Sequence, residues 1–359
     1  MSKRWKAWRL PGSAAVVGSA LVVRAVAGQA ATEVNVPQRL SYEHGERIFF
    51  HEAFEGNGRT CGTCHVPGTE FTISPELVRQ SYELDPEGPL FRAIDSDDGE
   101  GRDYTTLITH AVFRVTVPLH KNVVVMAEPE QRTIRVWRGV PSISNVVLTA
   151  PYLQDGRAAR LQDQALGAVL DHFEPRRRPR PKELDALRLF MDEMYYPLRL
   201  RSLVDAPDLP PPAPGFSVPV ESPATLRGKE TFERRCSRCH GGELGHAPSD
   251  PSIPRFSNVF VSDANVPGFP LLRLGFTQPD GSVVEALTPD PGRAAISGDL
   301  FDLNAFDTPP LRGLKHTAPY FHDNSAKALR GVVQHYNDHF QFHMTLQEED
   351  DLISYLELL

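Results

Sequence analysis

The sequence predicts a mainly α-helical protein in two similar halves, with a small β addition in the first, on three observations. A long phrase recurs at a fixed offset, helix-like apolar runs open and close each half, and a proline-rich stretch separates the halves. The chain has 359 residues, which leaves room for two domains of ordinary size, each burying a core of its own.

The repeat is the strongest of the three. "TAPYLQDGRA" at 149–158 returns as "TAPYFHDNSA" at 317–326. Setting Pro141 against Pro309 gives an offset of 168, and the register then matches T-A-P-Y, Asp155 with Asp323, Ala158 with Ala326 and Leu161 with Leu329.

Taken in chain order, residues 1–30 read as a secretory signal peptide. Lys3, Arg4, Lys6 and Arg9 precede the apolar run "GSAAVVGSALVV", with cleavage expected near Ala30. That run is too short for a stable membrane anchor, so export to the periplasm without stable membrane insertion is expected. The first domain is expected over 31–203; it opens on "YEHGERIFFHEAF" and closes on the amphipathic "PKELDALRLFMDEM" from 181. Within it, about 104–138, the β-branched "THAVFRVTVPLHKNVVVMAEPEQRTIRVW" predicts an insertion of strands. "VDAPDLPPPAPGFSVPVESP", 204–223, is too proline-rich for helix or core strand and reads as a linker. The second domain, 224–359, opens on "TLRGKETFERR" and carries a hairpin at "LGFTQPDGSVVEAL". It closes on "TLQEEDDLISYLELL", where Thr345 and Glu348 form a capping box.

Loss of the signal removes five basic residues and leaves 33 basic against 46 acidic, a balance of about −13 that argues against nucleic acid as a partner. It suits encounter with a basic redox protein. The four cysteines of an exported chain would ordinarily pair as disulfides. Here they fall as Cys61-Gly-Thr-Cys64-His65 and Cys236-Ser-Arg-Cys239-His240. C-x-x-C-H is the attachment signature of c-type haem: two thiols add to the two porphyrin vinyls while the next residue offers imidazole to the iron. Zinc knuckles and redox disulfides would not call for a histidine after both pairs. Two covalently attached haem c groups are therefore expected, ligated by His65 and His240.

These motifs, with "VPSISNVVLTAPYLQDGRAARLQDQALGAVLDHFEP" in the first half and "TPPLRGLKHTAPYFHDNSAKALRGVVQHYN" in the second, resemble the bacterial di-haem cytochrome c peroxidase and MauG family. The resemblance covers both halves apart from the inserted strands and parts of the loops. It implies two cytochrome c-like haem domains related by an internal repeat, a first haem that meets hydrogen peroxide and a six-coordinate second haem that stores or relays an electron. By the same resemblance, the distal amide and acid fall on Gln164 and Glu174, and the second iron's sixth ligand falls on Tyr336, with His335 and Met344 as alternatives. A carboxylate over the iron would carry a proton from the near peroxide oxygen to the far one, releasing water. Subtracting 168 from Tyr336 lands on Ala168, so a methyl group stands over the first iron where the second is capped. His110, His120 or Met126 of the insertion could still close that first iron at rest.

The chain departs from the family in two places. Gln154 stands where the resemblance implies a tryptophan between the haems, leaving Trp137, Tyr152 and Tyr320 as the aromatic relays to consider. Gly139 replaces an asparagine that the resemblance implies as a calcium ligand; Thr317 and Pro319 keep their carbonyls, so calcium is an open expectation. The acidic run "DSDDGEGRD" at 95–103 reads as a solvated loop out of step with a calcium loop. The expected function is peroxide reduction at an open first haem, with electrons from a small donor protein such as a cytochrome c or cupredoxin. The alternatives are MauG-like oxidation of a protein substrate and a di-haem carrier without turnover chemistry.

Overall fold

The computed structural model describes residues 36–194, 218–250, 252–263 and 268–359. The expected signal segment, 1–30, and most of the expected linker, 204–217, lie outside the described residues. Helices dominate, with a few short strands between them.

The first half opens on α1 (Val36–His51), followed by α2 (Pro75–Leu84) and α3 (Thr105–His110). Ser74 starts α2 by accepting a hydrogen bond from Leu77 N, with Pro75 in the first turn where its missing N–H costs nothing. Strands β1 (Val112–Pro118), β2 (Val123–Val125) and β3 (Thr133–Gly139) come next, then α4 (Leu161–His172) and α5 (Pro181–Met191). The second half runs α6 (Pro223–Arg235), β4 (Phe256–Asn258), β5 (Leu272–Thr277), β6 (Val283–Thr288), β7 (Ala305–Asp307), α7 (Leu329–His339) and α8 (Leu346–Leu356). Helix α6 includes Pro223, so the last residue assigned to the linker is the first of a helix. The Thr345 and Glu348 capping box forms as expected.

Each half is closed by the crossing of its first and last helices, and in each a glycine sits at the crossing point. A Cβ on Gly45 of α1 would stand 2.0 Å from the Ala186 carbonyl oxygen of α5, and one on Gly228 of α6 would stand 1.9 Å from the Asp351 oxygen of α8. Only a hydrogen at these positions lets the backbones approach. Phe49 and Phe232, each one turn further on, fill the two cores beside Phe190 and Tyr355. Burying each such ring contributes about 1.5–3 kcal/mol. The repeated phrases also fold alike: Tyr152 bridges Ala158 and Tyr320 bridges Ala326, each pair sharing a reciprocal backbone contact.

The expected β insertion is corrected in two respects. Its first residues, Thr105–His110, are helical, and its strands are not a self-contained unit. β1 and β3 pair antiparallel, but β2 leaves them to pair with β5 of the second half, completing a three-stranded sheet β2-β5-β6 with Val123 opposite Phe276. The expected hairpin of the second half supplies the other two strands. Val117, Val123, Ile134, Leu274, Phe276 and Ala295 form one buried cluster across this seam. A third sheet, the two-stranded β4-β7, had no forerunner in the sequence reading.

Candidate haem sites

Each C-x-x-C-H motif follows the first helix of its half, and its imidazole is oriented the same way. His65 Nδ1 lies 2.7 Å from Phe71 O, and His240 Nδ1 lies 2.6 Å from Gly245 O. A carbonyl only accepts, so Nδ1 carries the proton and Nε2 keeps the lone pair a metal requires. Burial lowers the His65 pKa to about 4 and lowers that of His240 as well, so both rings are neutral. The four cysteines are free thiols. Burial pushes Cys61 and Cys236 up to about 12 and Cys64 to about 11, the opposite of a reactive redox dithiol. The donor sets thus fit thioether attachment with one axial imidazole each.

Arg59, just before the first motif, is fully buried and fixes that turn in place. It donates to Asp95 at 2.5 Å and to the Pro89 and Leu90 carbonyls. Asp95 comes from the acidic run at 95–103, two further carboxylates of which cap local backbone: Asp98 accepts from Glu100, Gly101 and Arg102 N, and Asp103 from Thr105 N.

A cavity of about 1770 Å³, counting its open mouth, adjoins the first motif. Cys61, Cys64, His65 and Phe49 line one side; Gln164, Ala168, Asp171 and His172 of α4 line another. Asp307, Thr308, Pro309 and Pro310 of the second half complete the wall. Gln164 and Ala168 thus both line this space. Glu174 does not. It lies beyond the end of α4, exposed, with its carboxylate accepting from Asn57 Nδ2 at 2.9 Å, and it is absent from the cavity lining.

Nor do the three candidate caps of the insertion reach the cavity. His110 packs edge-on against Phe269, His120 Nδ1 contacts Asn122 Oδ1, and the Met126 sulfur lies against Gly275 of β5. Gln154 lines the cavity, and its carbonyl accepts from Asp307 N at 2.8 Å, tying the halves together. Tyr152 lines the same cavity, whereas Trp137 is buried under the Arg114 guanidinium and lies off it. At Gly139 a side chain would collide with Asn324, whose amide donates to the His110 and Ala111 carbonyls. Among the described residues no group of three or more His, Cys, Asp or Glu is placed to hold a metal ion.

Around the second motif, Tyr336 is close enough to Cys236 and Cys239 that both influence its phenol, which burial pushes up. Phe340 stacks on it at 5.6 Å. Of the other two ligand candidates, His335 donates Nε2 to Val259 O at 2.6 Å, and Met344 packs against the second core.

Two features escaped the sequence reading. His172 lines the first cavity one turn beyond Ala168, a spacing visible in the sequence once α4 is drawn. Arg138 is buried between Asp155, at 2.6 Å, and Asp290 of the second half, at 2.7 Å. Burial would lower its pKa, but the two carboxylates more than offset this and keep it charged. No sequence signal pairs residues 152 apart.

No family model matches the chain. Cytochrome-c peroxidase IdrP2 of Denitromonas iodatirespirans is 26% identical over an alignment covering 92% of this chain and 84% of that protein. Cytochrome c551 peroxidase of Pseudomonas aeruginosa is 26% identical over 55% of this chain and 56% of its own length, and the methylamine utilization protein MauG of Methylophilus methylotrophus is 36% identical over 16% and 20%. Among solved structures, a MauG-like protein associated with microbial copper homeostasis covers 91% of both chains at 16% identity with a TM-score of 0.53, a likeness of fold.

Proposed function

We propose that this chain, by its similarity to bacterial cytochrome c peroxidases and to MauG, is a di-haem enzyme of that kind, exported and reducing hydrogen peroxide at its first haem. Cys61, Cys64 and His65 hold the first group and Cys236, Cys239 and His240 the second, in two cytochrome c-like domains, 31–203 and 223–359, joined by the linker at 204–222. The bound groups supply electron storage and an exchangeable site for peroxide. The net reaction takes one hydrogen peroxide, two protons and two electrons to two waters. The electrons come from a one-electron donor protein, a small cytochrome or copper protein.

One observation carries the reading. Two like-oriented imidazoles face different surroundings: a tyrosine stands beside the second motif, while the first adjoins a cavity to which α4 contributes the Gln164 amide and, at the position matching that tyrosine, the methyl group of Ala168. On this reading Gln164, which lines the cavity, donates a hydrogen bond to bound peroxide. Tyr336 as an axial ligand would lower the second iron's potential, and this favours a second reading, MauG-like oxidation of a protein substrate.

The test is electron paramagnetic resonance of the exported protein carrying two haems per chain. One high-spin and one low-spin iron, with a fast optical change on adding stoichiometric peroxide, is the expected result. Two low-spin irons that persist after partial reduction, with no response to peroxide, would mean a carrier. Tyr336→Phe should convert the low-spin signal; an unaltered signal removes that tyrosine as a ligand. Rapid turnover with small cytochromes separates the peroxidase from the maturation reading, which instead predicts a covalently modified protein product.

A further inference from the structure

Helix α4 carries Gln164, Ala168 and His172 at intervals of four residues, which places them on one stripe of the helix surface. All three line the first cavity. His172 ends the stripe, and the end is fixed: its carbonyl accepts from Asn57 Nδ2 at 2.9 Å. The ring, by contrast, is unsatisfied. Nδ1 is buried with no hydrogen-bond partner, and Nε2 lies 3.9 Å from Asp171 Oδ2, whose own partner is Thr116 N at 2.8 Å. A buried, unpaired ring nitrogen has lost its water without gaining a partner, a cost removed when a bound molecule completes it.

From this geometry we propose that His172 is the proton-transfer residue of the first cavity, the role that the family resemblance gave to Glu174. The proposal rests on the reading of that cavity as the peroxide site. The neutral imidazole takes the proton from one peroxide oxygen and delivers it to the other. With two protons from solvent and two electrons from the donor protein, the O–O bond breaks and both oxygens leave as water. Gln164, two turns back on the same stripe, orients the peroxide. Burial holds the ring neutral by pushing its pKa below the ordinary value. The charged groups facing it are Asp171, Asp95, Arg59 and Arg135, with His65 across the cavity.

The test uses the holoprotein and two probes, peroxide and cyanide, the latter reporting the same proton acceptor without turnover. His172→Gln and His172→Asn, each checked for two haems per chain, should slow the peroxide-driven optical change by about two to four orders of magnitude. They should also abolish the acid-side fall in cyanide association, which the unsubstituted protein shows as the imidazole is protonated. The loss should exceed that in Glu174→Gln; an equal or larger loss in Glu174→Gln overturns the proposal. So does a cyanide profile unchanged in His172→Gln, or flat on its acid side in the unsubstituted protein. A low-spin first iron that turns high-spin in His172→Gln would make this residue a ligand instead and overturn it as well. If peroxide gives no reaction but the cyanide limb still vanishes with His172, the peroxide reading fails while the assignment of the proton acceptor stands.

Discussion

Asp155 is fully buried, accepts from Arg138 and Arg157, and turns its own phrase by accepting from Arg157 N. Its counterpart Asp323 is also buried and caps Ser325 N in the same way. Replacing Asp155 with Ala leaves Arg138 with Asp290 alone, and breaking such a buried pair costs about 3–5 kcal/mol. Urea unfolding of the variant should show that loss; a change below about 1 kcal/mol would mean that Asp290 suffices. The sequence announced this aspartate through its repetition. It did not announce the arginine, because a partner 17 residues away, pointed inward by strand alternation, leaves no periodic mark. The same limit explains Glu174. An alignment fixes a residue's distance along the chain, but α4 ends at His172, and although Phe173 still lines the cavity, the Glu174 carboxylate is turned to Asn57.

At the scale of elements, the four framing helices were legible because each must bury one stripe against a partner, and that requirement writes a helical period into the sequence. The strands were only half legible. β-branched runs identified them, yet nothing local could assign β2 to a hairpin about 150 residues on, since pairing depends on which edges the fold brings together. The glycines at the two helix crossings give a direct test. Gly228→Ala should gain up to about 1 kcal/mol of helix propensity and lose more, because its Cβ overlaps the Asp351 carbonyl and forces α6 from α8. A lowered melting temperature is the expected outcome, and an unchanged or raised one would show that the crossing relaxes freely. Haem content should fall with it, since α6 leads directly into Cys236.

Across the whole molecule, the halves meet through main chain as well as side chains. Besides the shared sheet, Gly139 N donates to His322 O, Asp307 N to Gln154 O, and Arg255 to the Thr149 carbonyl. An engineered protease site between residues 194 and 218 checks what this means: after cleavage the two pieces should co-elute at the mass of the intact chain and separate only in denaturant, whereas release in plain buffer would count against the shared sheet. The covalent link is then a convenience of synthesis, and the spacing between the two attachment motifs is set by the weave of β2 into β5. A scission there should leave the traffic of electrons between the centres as fast as before.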